Sequence, residues 1–359
     1  MVLNLEGTSR KPVGFLLKYK IKIYLHKQIS NLTFYSIFRG KIYVGKKFKV
    51  GVMEISDCKK KPFLDGAAWL RGEVVPIHEA MIPVNDWGLV HSDITYDVVP
   101  VRGGAFFRLQ EYLDRFQASM TSLNLDPKMD LNQIRTALLN MVSASGLKNS
   151  YVSMVCSRGV PQIPGTRDPR KCKNHFYAWC VPYIHIISPE VVRRGASALI
   201  SGSSMRIEKS SVDPTIKNYH WGDFTRGLFE AKEQKYETVI LTDKKGNITE
   251  GPGFNVFVVK EGTLITPKEG VLLGITRKTI LEIAEELRLT TEVRNLSKGE
   301  LLKADEVFIS SSAGGVIPLV KVDKTTYSKG KTGPITEQIR TRYWEWIELP
   351  IFSTPIPYD

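Results

Sequence analysis

From residue 66 onward the apolar residues fall into short runs with two different periods, and this alternation is what most limits the folds open to the chain. Two strand pairs come first, 67–70 with 73–76 about Arg71-Gly72, and 95–99 with 105–107 about Arg102-Gly103-Gly104. Two helical stretches follow. One puts Leu109, Tyr112, Leu113, Phe116 and Met120 on one face; the other begins near Asp130 and carries Ile134, Leu138, Met141 and Val142. Strands return at 151–157 and 175–181, which closes an α+β unit near residue 185. The second half reads as a strand at 196–200, a helix at 224–235 and strands at 238–242, 254–259 and 263–265. A helix at 276–289 then aligns Ile280, Ile283, Ala284 and Leu287. A strand at 307–310 runs into the small-residue loop 311–315, and a last helix starts at Pro334, a favoured first helical position. The expected organisation is an N-terminal extension, 1–64, and two α+β domains, 65–185 and 190–350.

Charge and cysteine usage narrow the function classes. The chain of 359 residues carries a net charge of +13, but residues 1–60 hold 13 basic residues against three acidic ones, a balance of +10. The remainder holds 37 against 34, so the body has no polyanion signature, and neither nucleic acid nor membrane is expected as its partner. The extension, with strand-like runs at 18–25 and 40–45, reads as a basic nucleic-acid or membrane-surface arm, an organellar address, or a plain extension. No apolar run approaches the roughly 18 residues of a membrane span, and Phe15-Leu16-Leu17 is broken by Lys18, Lys20 and Lys22. Cys58, Cys156, Cys172 and Cys180 match no zinc spacing, which assigns no metal and suits a reduced, cytoplasmic protein.

Four segments could carry chemistry, and each has a plain reading beside it. Lys217 in Asp213-Pro-Thr-Ile-Lys217-Asn218 is either a reactive amine or a solvated surface charge. Glu250 precedes a glycine-rich bend, Gly251-Pro-Gly253-Phe-Asn255. Gly274-Ile275-Thr276 opens a helix whose free N–H groups suit a phosphate or merely cap a core helix. The loop Ser310-Ser311-Ser312-Ala-Gly-Gly315 is an anion nest or a turn.

Taken together, these four segments resemble the fold type IV pyridoxal phosphate enzymes, the class of branched-chain and D-amino-acid aminotransferases and aminodeoxychorismate lyase. Within it, His91-Ser-Asp-Ile-Thr-Tyr96-Asp-Val98, Phe107-Arg-Leu109 and Lys217-Asn-x-x-Trp221-Gly-Asp223 resemble the (R)-selective amine transaminases. The resemblance spans about Gly66 to Tyr343 and leaves out residues 1–60. It implies a two-domain α+β fold, a homodimer, and ping-pong transfer of an amino group from a primary (R)-amine to pyruvate. It also implies that Lys217 holds the cofactor as a Schiff base and moves the proton, and that Glu250 faces the pyridine nitrogen. Arg115, Ile275, Thr276, Ser311 and Ser312 would hold the phosphate. His91, Tyr96, Val98, Tyr151 and Trp221 would surround the substrate. Arg167, with Arg170 as the alternative, would read the keto-acid carboxylate from a loop placed at 158–167. Three positions depart from relatives: Pro252 stands for a serine, the serine loop stands for two threonines, and Ser153 is shared with the actinobacterial type. The rival readings are a branched-chain or D-amino-acid aminotransferase, less readily a lyase, and a nucleic-acid binder acting through residues 1–60.

Overall fold

The computed structural model describes residues 63–358 together with an antiparallel pair of short strands, Tyr35–Phe38 and Lys41–Val44. The second of these coincides with the expected strand at 40–45; the expected strand at 18–25 and Cys58 lie outside the described residues. From Lys61 onward the chain is one compact unit built on two sheets.

The first sheet is antiparallel and runs, edge to edge, Ser353–Pro355, Ala105–Phe107, Ile94–Arg102, Ser150–Pro161, Cys172–Pro182, Ala67–Leu70 and Glu73–Pro76. Strand alternation sends Val99 and Val101 to the face covered by the helices Leu109–Ser122 and Leu131–Ser145, where they pack with Phe116, Leu138 and Met141. Ile94, Tyr96 and Val98 turn to the other face, beside Tyr151, Tyr177 and Tyr219. Helix Leu131–Ser145 starts where the sequence signals it: the Asp130 carboxylate accepts from the Gln133 N–H, and the Asp130 N–H donates to Gln133 Oε1.

The second sheet is mixed. Its main path is Thr238–Ile240, Ala196–Ile200, Gly315–Val322, Glu306–Ser311, Phe254–Lys260, Thr263–Pro267 and Thr291–Arg294. Helices Ile275–Glu286 and Pro334–Ile347 cover one face through Ile280, Ile283, Ile339 and Tyr343, against the stacked rings of Phe257 and Phe308. Phe107 of the first sheet joins this cluster, so one apolar core ties the two sheets together.

Two expectations are corrected. The strand expected at 151–157 continues to Pro161, because a register shift between Ser157 and Val160 absorbs a bend at Gly159. Gly159 has φ +78°, and a Cβ there would strike the Lys173 carbonyl oxygen. The loop placed at 158–167 therefore begins after Pro161, and Arg158 lies on the strand, its guanidinium on Asp93 and on the Leu123 and Asn124 carbonyls. The chain also returns after residue 350: Ser353–Pro355 adds an edge strand to Ala105–Phe107, an edge being where a proline is tolerated.

Glu306 caps a distant helix. Its buried carboxylate accepts from the N–H groups of Ile335 (3.1 Å) and Thr336 (2.7 Å) and from the Thr336 hydroxyl, at the positive end of Pro334–Ile347. Gly333 leaves room for it, since a Cβ there would overlap the carboxylate. Glu306→Ala should lower unfolding stability by about 1–3 kcal/mol, measured by urea titration. An unchanged midpoint would mean that water replaces the cap.

Candidate active site

The strand that crosses the middle of the first sheet also pins the segment carrying Lys217. The Thr95 hydroxyl (2.7 Å) and the Tyr96 N–H (3.4 Å) both donate to the Lys217 carbonyl, and the Lys217 N–H donates to the Ser119 hydroxyl. With its backbone fixed there, the Lys217 side chain enters a cleft between the sheets, its Nζ 4.4 Å from the centroid of the Tyr96 ring. The residue as a whole is half-buried, and its amine lies at the buried end of the side chain. Burial pulls the amine down to about 8; Asp97 and Glu250 act in the opposite direction, and Arg115 adds to the lowering.

Glu250 lies on the two-residue strand Glu250–Gly251, which pairs with Phe254 and Asn255 around the bend. One carboxylate oxygen accepts from Arg206 Nε (3.1 Å) and the other from the Leu272 N–H (2.8 Å). Burial pushes this carboxyl up, opposed chiefly by the Arg206 charge and then by the Leu272 bond. A buried carboxylate beside an arginine suits a protonated aromatic nitrogen opposite it.

The other end of the cleft is an anion site. Helix Ile275–Glu286 begins at Gly274 with no side-chain cap, and among the described residues the Ile275 and Thr276 N–H groups have no partner. Thr276 Oγ1 is buried without a hydrogen bond, while Ser312 Oγ shares a 2.7 Å bond with the Tyr112 hydroxyl. Ser311 also lines the cleft, but its hydroxyl is committed to the Gly253 carbonyl. Arg115 spends three of its five N–H groups on Asp97 and the Leu273 carbonyl, leaving two for a ligand. An orphan hydroxyl, an uncapped helix terminus and a half-free guanidinium fit a phosphate. With an amine and a carboxylate at the other end, the residues present fit pyridoxal phosphate.

Of the expected substrate residues, Tyr96, Val98, Tyr151 and Trp221 line the cleft. His91 does not: it is exposed and packs edge-on against Trp87. Arg167 is exposed and outside the lining, and Arg170, also exposed, holds Asp168 at 2.8 Å. Sequence reasoning assigns no role to Trp179, stacked on Tyr151, or to Ile184, Ile186 and Arg206, all of which line the cleft. Nothing in their spacing marks them. Asp97 had a signal, an acid in the middle of an apolar strand.

The family model for amino-transferase class IV matches residues 95–322, and the chain belongs to that family. It is a pyridoxal phosphate-dependent aminotransferase. The branched-chain-amino-acid aminotransferase of Escherichia coli K12 is 25% identical over 300 residues, 78% of this chain and 96% of that one. The D-alanine aminotransferase of Bacillus licheniformis is 26% identical over 280 residues, 75% of this chain and 93% of that one. Among solved structures, the branched-chain aminotransferase of Thermoproteus uzoniensis with norvaline superposes with a TM-score of 0.74 at 25% identity, covering 81% of this chain and 99% of that one. A second branched-chain amino acid aminotransferase (from T.th.), solved with pyridoxamine 5'-phosphate, gives 0.76 at 24%, covering 82% and 99%.

The lowered Lys217 amine can be read directly. In cofactor-free protein, acylation of Lys217 followed by peptide mapping should be half-maximal near pH 8, against about 10.4 for exposed lysines. Because Asp97 and Glu250 favour the charged amine, Glu250→Gln should move this midpoint lower still. A Lys217 that titrates with the surface lysines would contradict the burial of the amine described here.

Proposed function

We propose that the enzyme is an (R)-selective amine transaminase, moving an amino group from a primary (R)-amine to pyruvate. The observation that supports this most is that both arginines lining the cleft are already paired with buried carboxylates, the two N–H groups that Arg115 keeps being assigned to the cofactor phosphate. Arg115 is tied to Asp97, Arg206 is tied to Asp223 and Glu250, and Lys217 is the reactive amine. Tyr96, Val98, Tyr151, Trp179, Ile184 and Ile186 make an aromatic and aliphatic part of the wall, with Asn218, His220 and Asn255 as neutral polar neighbours. An amine without a carboxylate leaves no buried charge unpaired in such a wall. A keto acid needs a cation brought in from elsewhere, and Arg167, exposed on the loop after Pro161, is that cation in this reading. The enzyme would then act as a homodimer, with the loop of one copy serving the cleft of the other. Exposed Met81, Val84, Leu89 and Val90 offer an apolar surface for such a contact. The two sheets would be the cores of the two domains, 65–185 and 190–350, with the return strand attached to the first.

Lys217 would hold the cofactor, Glu250 would face its ring nitrogen, and Arg115, Thr276, Ser312 and the start of helix Ile275–Glu286 would hold its phosphate. Bound there, the cofactor supplies a conjugated ring that takes up the electron pair left when a proton leaves the substrate carbon. The proton itself is the business of Lys217. Burial lowers this amine below an ordinary lysine, which favours the neutral form that can accept the proton and return it.

The reading is tested by half-reactions followed through the spectrum of the bound cofactor. (R)-1-Phenylethylamine and D-alanine should react and (S)-1-phenylethylamine should not; rapid reaction with L-leucine alone would instead make this a branched-chain aminotransferase. Arg167→Ala should slow pyruvate and D-alanine by one to two orders of magnitude, about 1.5–3 kcal/mol of charge-assisted binding, with (R)-1-phenylethylamine little changed. Equal losses on both kinds of substrate would leave Arg167 a loop-supporting residue.

A further inference from the structure

Behind Glu250 lies a buried chain of charges that the reaction scheme does not use. Arg206 sits in an irregular segment, and its guanidinium bridges two carboxylates: Nε donates to Glu250 at 3.1 Å and Nη1 to Asp223 at 2.6 Å. All three side chains are about 6% exposed. The guanidinium also lies 4.3 Å from the centroid of the Phe224 ring, and the Arg206 N–H donates to the Thr242 carbonyl. Asp223 is fixed in turn. It accepts from the Ile207 N–H (3.0 Å) and from the Phe224 N–H (2.8 Å), and its carbonyl accepts from the Ser204 hydroxyl.

The helix that carries Asp223, Gly222–Glu233, grips the same segment a second time. Glu230 accepts from the Ser201 and Ser203 hydroxyls and from the Gly202 and Ser203 N–H groups. One short helix, beginning five residues after Lys217, thus holds the segment leading to Arg206 through Glu230 and the guanidinium itself through Asp223. Such rigidity has a use. A buried charged group costs several kcal/mol unless it is paired, so a loosely held arginine could not keep a neighbouring carboxylate charged.

We infer that Arg206, held by Asp223, is a positioning residue that keeps Glu250 ionised and through it keeps the proton on the cofactor ring nitrogen. The inference rests on the assignment of Glu250 to that nitrogen. Around Glu250 the groups that matter are Arg206 and the Leu272 N–H in direct contact, with Lys217 and the Tyr96 hydroxyl beyond them. Lys217 is the reactive amine and spends part of the cycle neutral, which leaves Arg206 as the lasting positive charge. Without it, burial favours the neutral carboxyl, and a neutral carboxyl no longer stabilises a cationic ring.

The experiment uses holoenzyme loaded with cofactor labelled with 15N at the ring, whose NMR shift reports the proton directly. In the unaltered enzyme the nitrogen should be protonated at pH 7.5. In Arg206→Gln its deprotonation midpoint should fall by about one unit or more, and kcat by about tenfold or more, with KM for either substrate moving less than about threefold. Arg206→Lys should restore most of the midpoint. The double variant Arg206→Gln/Glu250→Gln should lose no more than Glu250→Gln alone, because one residue acts through the other.

A protonated nitrogen in Arg206→Gln, with loss of the proton in Glu250→Gln, overturns the inference and leaves Glu250 in place. An unchanged nitrogen in Glu250→Gln overturns the assignment of Glu250 and this inference with it. Should Arg206→Gln fail to fold, Asp223→Asn decides. It keeps the side-chain shape, and it should shift the midpoint in the same direction by a smaller amount; no shift at all would overturn the pairing.

Discussion

Lys217 stands between two buried carboxylates, and each of these is held by its own arginine. Asp97 is gripped by Arg115 through two bonds, and Glu250 by Arg206 through one. This arrangement is the constraint on which the rest depends. A lysine in a dry cleft would lose its proton altogether, and one beside free carboxylates would keep it too firmly. Here the carboxylates face the amine with part of their charge already answered, and the amine settles near 8. The same pairings bear on what else the cleft can accept, because both of its arginines already answer a buried carboxylate.

The two sheets exist, for this purpose, to bring those four charges together. Asp97 and Arg115 belong to the first sheet and its covering helix; Arg206 and Glu250 belong to the second half of the chain. The joint is made twice. Thr95 and Tyr96 bind the carbonyl of Lys217, and the apolar cluster of Phe107 with Phe257, Phe308 and Tyr343 holds the sheets in register. The anion end follows the same logic. Helix Ile275–Glu286 buries Ile280 and Ile283 in that shared cluster, which aims its uncapped first turn at the cleft. Packing therefore supplies the direction, and the unsatisfied N–H groups supply the chemistry.

The segment between the sheets adds a further tie. The Tyr183 hydroxyl and the Ile186 N–H donate to the carbonyls of Ser312 and Ala313, so the chain that leaves the first sheet is fastened to the serine loop. Ile184 and Ile186 line the cleft because of that attachment. The shape of the apolar wall is thus coupled to the loop that would hold a phosphate.

Most of the elements were legible in the chain before any folding is considered. Periods of two and 3.6 residues, with Gly and Pro at the turns, place most strands and helices within a few residues, because those signals act over one or two turns of chain, but they do not mark the sheet strands Thr291–Arg294 and Gly315–Val322. Lys217, Glu250, Thr276 and Ser312 were singled out by the resemblance of their four segments to a known family, since each segment alone has an equally plain reading as surface charge, turn or helix cap. The partners came from tertiary structure alone. Arg115 and Asp97 are 18 residues apart, Arg206 and Glu250 are 44 apart, and no periodicity relates either pair. Folding also extended the strand at Gly159, where a bulge rather than a loop accommodates the bend, and drew Trp179, Ile184 and Ile186 into the cleft. It put His91 and Arg167 at the surface. Pairing of buried charges and the lining of a cavity depend on which distant segments meet, and that is settled by the packing of the two sheets.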